Sequence, residues 1–259
     1  MRQNLIELAN NPNFISGIYN YCDRWCERCP FTSRCMVYAT EKEDDDGDPA
    51  SRDITNEAFW RKLASIFEET KQMMADWAEE AGIDISQIDE AQCEQHRKRR
   101  ADVRQDELAV VASDYASTVS LWFNEFDQIP SVSDLPPNDA EADELDQFNE
   151  AREVIHWYQY QIAVKLMRAL SSQSNEMEWP EEGFDDSKDS DGSAKVSLMA
   201  IDRSVSAWRL IQMCLPERAD SIKPIILDLE RLRQKAEKRF PEARDFIRPG
   251  FDEVIGAAN

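Results

Sequence analysis

The sequence predicts an all-α protein, and three observations support this prediction. The 259 residues include only seven glycines, and long stretches are rich in Ala, Leu, Glu, Arg and Gln, which favour helix over sheet. Apolar residues recur at spacings of three and four, as on the buried face of a helix. Seven Trp, eleven Phe and six Tyr supply a substantial core. We expect a bundle of four long helices, preceded by a small cysteine-rich helical hairpin.

The first 45 residues form a predicted module of their own. Apolar residues from Phe14 to Tyr19 lead into the cysteines at helical spacing, which predicts a helix over residues 12–28 that Pro30 terminates. A second short helix is expected to carry residues 35–38. The charged run from Glu41 to Pro49 is a linker, because it has nothing to pack.

The predicted bundle covers residues 53–240. Its first helix is expected from Thr55 to Ala81, with Gly82 as the stop signal. The stripe that would face the core recurs at alternating spacings of four and three: Phe59, Leu63, Ile66, Thr70, Met73 and Trp77.

The remaining helices follow from periodicity and turn chemistry. A helix with a polar, basic first half is predicted over 88–126, and a loop over 129–138. A third helix runs from 139 to about 171, and a polar connection covers 172–193. A fourth runs from 193 to Leu215, where Pro216 starts a further helix to about Arg239. Residues 241–259 are expected to form a short helix and a tail.

The charge balance restricts the partners that the surface can bind. A net charge of −22 repels phosphate backbones, which argues against nucleic-acid binding through the surface as a whole. The sequence shows no secretory signal and no apolar run long enough for a membrane span, so we expect a cytoplasmic protein with no membrane partner. A protein partner and the oligomeric state are left open.

Four of the six cysteines lie within fourteen residues, and they predict a metal site. In a reducing compartment, such a cluster is more typical of metal ligands than of disulfides. On a continuous helix three of the sulfurs would be spread over two turns, so the helix must uncoil before Pro30 for them to converge. The predicted ligands are Cys22, Cys26, Cys29 and Cys35.

The sequence does not decide which metal the cysteines would hold. A zinc ion and a [4Fe-4S] cluster both accept four thiolates at short spacings. Three arginines against two acidic residues give the stretch from Cys22 to Cys35 a net charge of +1, which would compensate an anionic site. The alternative is that these cysteines are small buried side chains of a helical hairpin.

A second constellation lies in the predicted bundle. Glu153-Val-Ile-His156 resembles the Glu-x-x-His motif of ferritin-like di-iron proteins. The chain has no second copy of this motif, since the other histidine, His96, has no glutamate three residues before it. A different metal or substrate site that also uses Asp114 and Asp202 is left open. The competing interpretation is a set of ion pairs formed by these residues with Lys165, Arg168 and Arg203.

Three functional hypotheses follow from these features. The first is a cytoplasmic metal-binding helical protein that acts by binding or by electron transfer. The second is an enzyme with a site inside the bundle built from Glu153, His156, Asp114 and Asp202. The third is an acidic interaction adaptor that also uses the basic run from His96 to Arg100. Whether the chain is an enzyme is left open, because no phosphate loop, dinucleotide fingerprint or nucleophile elbow is present.

Overall fold

The computed structural model describes residues 7–43, 47–84, 90–127, 139–178 and 189–252. All regular secondary structure in these ranges is helical, which confirms the all-α prediction. Residues 7–9 are helical, and the α-helices whose two ends both lie in these ranges are α1 (Met36–Glu43), α2 (Glu57–Glu80), α3 (Glu90–Gln105), α4 (Glu107–Asp127), α5 (Asp139–Glu178), α6 (Asp189–Cys214) and α7 (Ala219–Arg239). Among the described residues, no helix combines the length and apolar content that crossing a membrane requires.

Helices α4 to α7 form a four-helix bundle. Helix α5 packs against α4 and α6, and α7 packs against α6 and α4, so the four helices enclose one core. The most extensive of these contacts join α5 and α6. The structure supports the predicted bundle, but its members differ, because the helix predicted at 55–81 is not among them.

The chain divides into two compact units. The first comprises Met1–Tyr19 and Cys26–Arg97, and the second comprises Asn20–Trp25 and Lys98–Asn259. The first unit contains α1 and α2, and the second contains the bundle. The predicted domain limits of 1–45, 53–240 and 241–259 remain a prediction.

The core of the bundle follows the helical periodicity of α5 and α6. On α5 the residues Ile155, Tyr158, Ile162 and Leu166 are at most 1% exposed. The buried residues of α6 include several small side chains, among them Ser193, Ser197 and Ser204. Small side chains let two helix backbones approach closely, and the Ser197 hydroxyl donates to the Ile162 carbonyl across this contact.

Helix α2 lies within the predicted range of Thr55 to Ala81, beginning two residues later and ending one residue earlier. The Asn56 side chain accepts a hydrogen bond from the Ala58 N–H as an N-cap. Gly82 adopts a left-handed φ of 69°, and the Ile83 N–H returns to the Ala78 carbonyl in a C-terminal capping turn.

Four local predictions need correction. Residues 12–28 form turns, with 3-10 segments at Ile18–Asn20 and Cys26–Arg28, in place of one helix. The helix predicted over 88–126 is split into α3 and α4, because the Asp106 carboxylate caps the Leu108 N–H at 2.9 Å and starts a new helix. The connection predicted over 172–193 is shorter, since α5 continues to Glu178 and α6 begins at Asp189. Residues 241–252 form turns in place of the predicted short C-terminal helix. The rest of that predicted segment, residues 253–259, and the predicted loop over 129–138 lie outside the described residues.

The bundle core gives a direct test of this packing. Replacing Leu166, which is fully buried, by alanine should lower the free energy of unfolding by about 2–5 kcal/mol through lost burial and a residual cavity. Val164→Ala is the matched control on the same helix, since Val164 is 57% exposed and should cost less than about 0.5 kcal/mol. Urea denaturation of both variants measures the difference. Equal losses would contradict the assignment of the core face of α5.

Candidate functional site

The cysteine-rich stretch is built from short turns. Cys26 opens the 3-10 turn Cys26–Arg28, and the Cys29 N–H donates to the Cys26 carbonyl at 3.2 Å. Cys35 closes the next turn, Thr32–Arg34, and leads directly into α1. The stretch is therefore not the continuous helix that would place Cys22, Cys26 and Cys29 on one stripe.

All six cysteines are free thiols and all are half-buried. Two of the clustered sulfurs accept a hydrogen bond from the backbone N–H two residues ahead. The Phe31 N–H donates to Cys29 Sγ at 3.4 Å, and the Arg24 N–H donates to Cys22 Sγ. Burial raises the pKa of the Cys22 thiol, against the opposing effects of this N–H and of the Lys165 charge.

The four predicted ligands have the donor chemistry that zinc and iron–sulfur clusters require. In the part of the chain that the structure describes, no three histidine, cysteine, aspartate or glutamate side chains are grouped to hold a metal ion. The metal centre at Cys22, Cys26, Cys29 and Cys35 therefore remains a prediction from the sequence.

Within the bundle unit, the segment Asn20–Trp25 is held on α5 and α6 by polar side chains. We call it the anchor segment. The Asp23 carboxylate accepts hydrogen bonds from the Tyr158 hydroxyl and from Arg203 Nη1, both at 2.7 Å. The Asp23 carbonyl accepts from Trp157 Nε1 at 2.9 Å and from the Gln161 amide. Both the side chain and the backbone of Asp23 are thus bound by the bundle.

The ionisation of Asp23 reflects this environment. Burial would raise the pKa of its carboxyl, but hydrogen bonds from Tyr158 and the Trp25 N–H, together with the Arg203 guanidinium, outweigh burial and hold the pKa below the ordinary value. The pKa of Tyr158 is well above its ordinary value because its hydroxyl is buried and donates to this carboxylate. Asp23 is therefore an anion and Tyr158 a neutral donor at neutral pH.

Trp25 supplies the apolar part of the anchor segment. It is 7% exposed, and its ring stacks on Trp157 with centroids 4.9 Å apart and meets the edge of Tyr158. Arg24, between the two buried side chains, has a left-handed φ of 59°. That conformation is unfavourable for a residue with a side chain, so the contacts of Asp23 and Trp25 hold it in place.

A second polar cluster binds the start of the anchor segment. Arg168 donates to both carboxylate oxygens of Asp189, at 2.7 and 3.3 Å, in a bidentate pair. The same carboxylate accepts from the Tyr21 hydroxyl at 3.0 Å and from Ser172 at 2.5 Å. Burial would raise the pKa of Asp189, but the hydrogen bonds from Ser172 and Arg168 lower it overall.

Lys165 is a buried ammonium beside this cluster. Only 8% of the residue is exposed, and its Nζ donates to the Asn20 carbonyl at 3.1 Å. Burial lowers its pKa, while the thiol of Cys22 acts in the opposite direction. The anchor segment therefore brings one cysteine of the cluster, Cys22, within electrostatic reach of the Lys165 side chain.

Gly192 permits the close approach of Tyr21 to α6. A Cβ at this position would lie 2.4 Å from a carbon of the Tyr21 ring and 2.7 Å from the tip of Phe246. Those distances are well inside van der Waals contact, so glycine is required for this arrangement.

The residues proposed for a site inside the bundle do not lie in its interior. Asp114, Glu153 and His156 are exposed. Asp202 instead pairs with Arg233 at 3.2 Å and with Arg244 at 2.6 Å. Asp202 therefore forms ion pairs, as the competing interpretation predicts. Arg168 and Arg203 also form ion pairs, with Asp189 and Asp23 respectively. The geometry lends no support to an interior metal or substrate site at these positions.

Comparison with known proteins found that no protein-family model, curated protein or solved structure matches the chain. Nothing in the local pattern predicts the role of Asp23, since it lies between two cysteines like any charged surface residue. The one available indication was the pair of aromatic residues, Tyr21 and Trp25, that flank it at spacing two on either side.

The anchor segment predicts a measurable loss when its central charge is removed. Asp23→Asn should lower the free energy of unfolding by about 1–2 kcal/mol, because it replaces a charged acceptor that Tyr158 and Arg203 share. The loss should not be larger, because Arg203 is half-exposed and water screens its attraction to Asp23. Asp228→Asn is the control, since Asp228 forms only an exposed pair with Arg231. Thermal unfolding followed by circular dichroism measures both variants, and equal stabilities would contradict the anchoring role.

The Asp189 cluster predicts a dependence on pH. Because the folded pKa of Asp189 is below the ordinary value of about 3.9, its ionised form contributes stability above that value and loses it as the pH falls further. The Asp189→Asn variant should therefore be less stable than the parent protein at neutral pH. The difference in stability between the two proteins should become smaller below about pH 4. Melting temperatures across this range test it, and a gap independent of pH would contradict it.

Proposed function

We propose that this chain is a metal-binding protein in which Cys22, Cys26, Cys29 and Cys35 hold a zinc ion or a [4Fe-4S] cluster. The observation that carries the proposal is the pair of backbone N–H groups directed at Cys29 Sγ and Cys22 Sγ. Hydrogen bonds of this kind stabilise thiolate charge and tune the properties of metal-bound sulfur.

The charges near Cys22 support the same proposal. A four-thiolate site stays anionic with either metal, so nearby cations lower the energy of forming it. Lys165 and Arg24 both act electrostatically on the Cys22 thiol in the direction of the thiolate. Because the ammonium of Lys165 is buried, water screens its effect less than it would at the surface.

Metal binding would require local rearrangement, since the described side chains are not grouped around one point. The stretch consists of short turns with half-buried thiols, and such segments reorganise at low cost compared with a continuous helix. Coordination would then be coupled to ordering of these turns and to release of thiol protons. Bound zinc would contribute stability, whereas an iron–sulfur cluster would provide electron transfer. We further propose that the protein acts in the cytoplasm, because that reducing compartment keeps the thiols available as metal ligands.

Anaerobic purification followed by elemental analysis and an absorption spectrum tests the proposal. We expect either about one zinc per chain or about four iron and four sulfide with brown absorbance. Cys26→Ser and Cys29→Ser should each lower the metal content severalfold and lower the melting temperature.

The matched control uses the two cysteines outside the cluster. Cys93→Ser with Cys214→Ser in one chain removes two half-buried thiols and should leave the metal content unchanged. Metal-free protein from anaerobic cells, or equal metal loss in the control and cluster variants, would overturn the proposal.

A second candidate is an interaction adaptor, favoured by the exposed apolar residues of α2. On this account the cysteines stabilise the N-terminal turns without a metal, and binding of partners is independent of metal. Partner binding that survives the Cys26→Ser substitution unchanged would favour the adaptor over the metal protein.

A further inference from the structure

Helix α2 exposes a long apolar face. Of its 24 residues only Ala78 is buried. Four large apolar side chains are between 53% and 65% exposed: Trp60, Phe67, Met74 and Trp77. An exposed apolar surface of this size, rich in aromatic residues and methionine, is typical of an interaction surface.

The apolar residues of α2 follow a heptad repeat. Phe59, Leu63, Ile66, Thr70, Met73 and Trp77 alternate at spacings of four and three, so they occupy the d and a positions in turn. Trp60, Phe67 and Met74 each follow a d residue and are seven residues apart, which places them at e. Apolar residues at a, d and e together form a wide apolar face, which is typical of a helix that packs against another helix.

An antiparallel pairing of two such helices is self-complementary. When the a residues of one copy meet the d residues of the other, Phe59 faces Trp77, Leu63 faces Met73 and Ile66 faces Thr70. Phe67 then lies beside its own counterpart, as expected at a two-fold axis. Trp60 lies near Met74 of the second copy, so the e residues of both copies become covered together.

The charged residues beside the a and d positions also favour antiparallel pairing. Lys62, Glu69 and Asp76 occupy the g positions, and antiparallel pairing brings Lys62 near Asp76 of the second copy, twice by symmetry. Glu69 meets its own counterpart, which is the one unfavourable pair. Parallel pairing would instead place these charges against the apolar e residues, leaving them without opposite charges.

We propose that α2 is a self-association surface through which two copies of this chain pair as antiparallel helices. The four most exposed side chains alone offer about 400 Å² per copy, roughly half of what one partner buries in a standard interface. The half-exposed a and d residues supply further area. This inference is independent of metal binding.

Sedimentation velocity of the full chain over a range of micromolar concentrations tests the pairing. We expect a dimer, and Phe67→Glu should raise its dissociation constant at least about tenfold, because two charges would be buried at the two-fold axis. Since Phe67 is 65% exposed in the single chain, the variant should keep its circular dichroism spectrum. Met213→Glu is the matched control, because Met213 on α6 is 78% exposed and should leave the dimer intact.

Charge exchange tests the antiparallel register. Lys62→Glu and Asp76→Lys should each weaken the dimer severalfold, and the two together should restore it, because the opposite charges then face each other again. A monomer at all concentrations, a dimer insensitive to Phe67→Glu, or a double variant no stronger than the single ones would overturn the proposal. Monomeric chain that co-sediments with phosphatidylcholine vesicles would assign the face to a lipid surface and overturn it as well.

Discussion

The hydrogen-bonded carboxylate of Asp23 is the interaction on which the position of the anchor segment depends. It draws a segment from the N-terminal part of the sequence onto residues that are 135 and 180 positions away. Contacts this distant in sequence carry a large loss of chain entropy, so several favourable contacts must form together to offset it. Here the charge of Asp23, the stacking of Trp25 and the hydroxyl of Tyr21 act together over six residues.

Long polar side chains of α5 and α6 supply many of the contacts that hold the anchor segment. Lys165 donates to Asn20, Arg203 donates to Asp23, and Arg168 donates to the Asp189 carboxylate that also binds Tyr21. Each of these three basic side chains carries an apolar stem and a charged end, so each packs and pairs at once.

Much of the fold was predictable from local signals, and the failures have a common cause. The limits of α2 follow from Asn56 and Gly82, and the break before α7 follows from Pro216, because caps and proline act within a few residues. Residues 12–28 have a helical pattern, but tertiary contacts of Asp23 and Trp25 override it. The cap at Asp106 interrupts a pattern that continues on both sides. The spacing of the cysteines does not specify the directions of their side chains, so it could not show that the four sulfurs are not grouped in the structure.

The close packing around Gly192 has a consequence for how the sequence can vary. Glycine within a helix is less favourable than alanine by roughly 0.5–1 kcal/mol, so this position gives up local stability to admit the Tyr21 ring. Alanine at 192 would meet both the Tyr21 ring and the tip of Phe246, so a chain with alanine there could keep neither ring where it lies. Positions 21, 192 and 246 should therefore change together during evolution, although residue 21 is far from the other two along the chain.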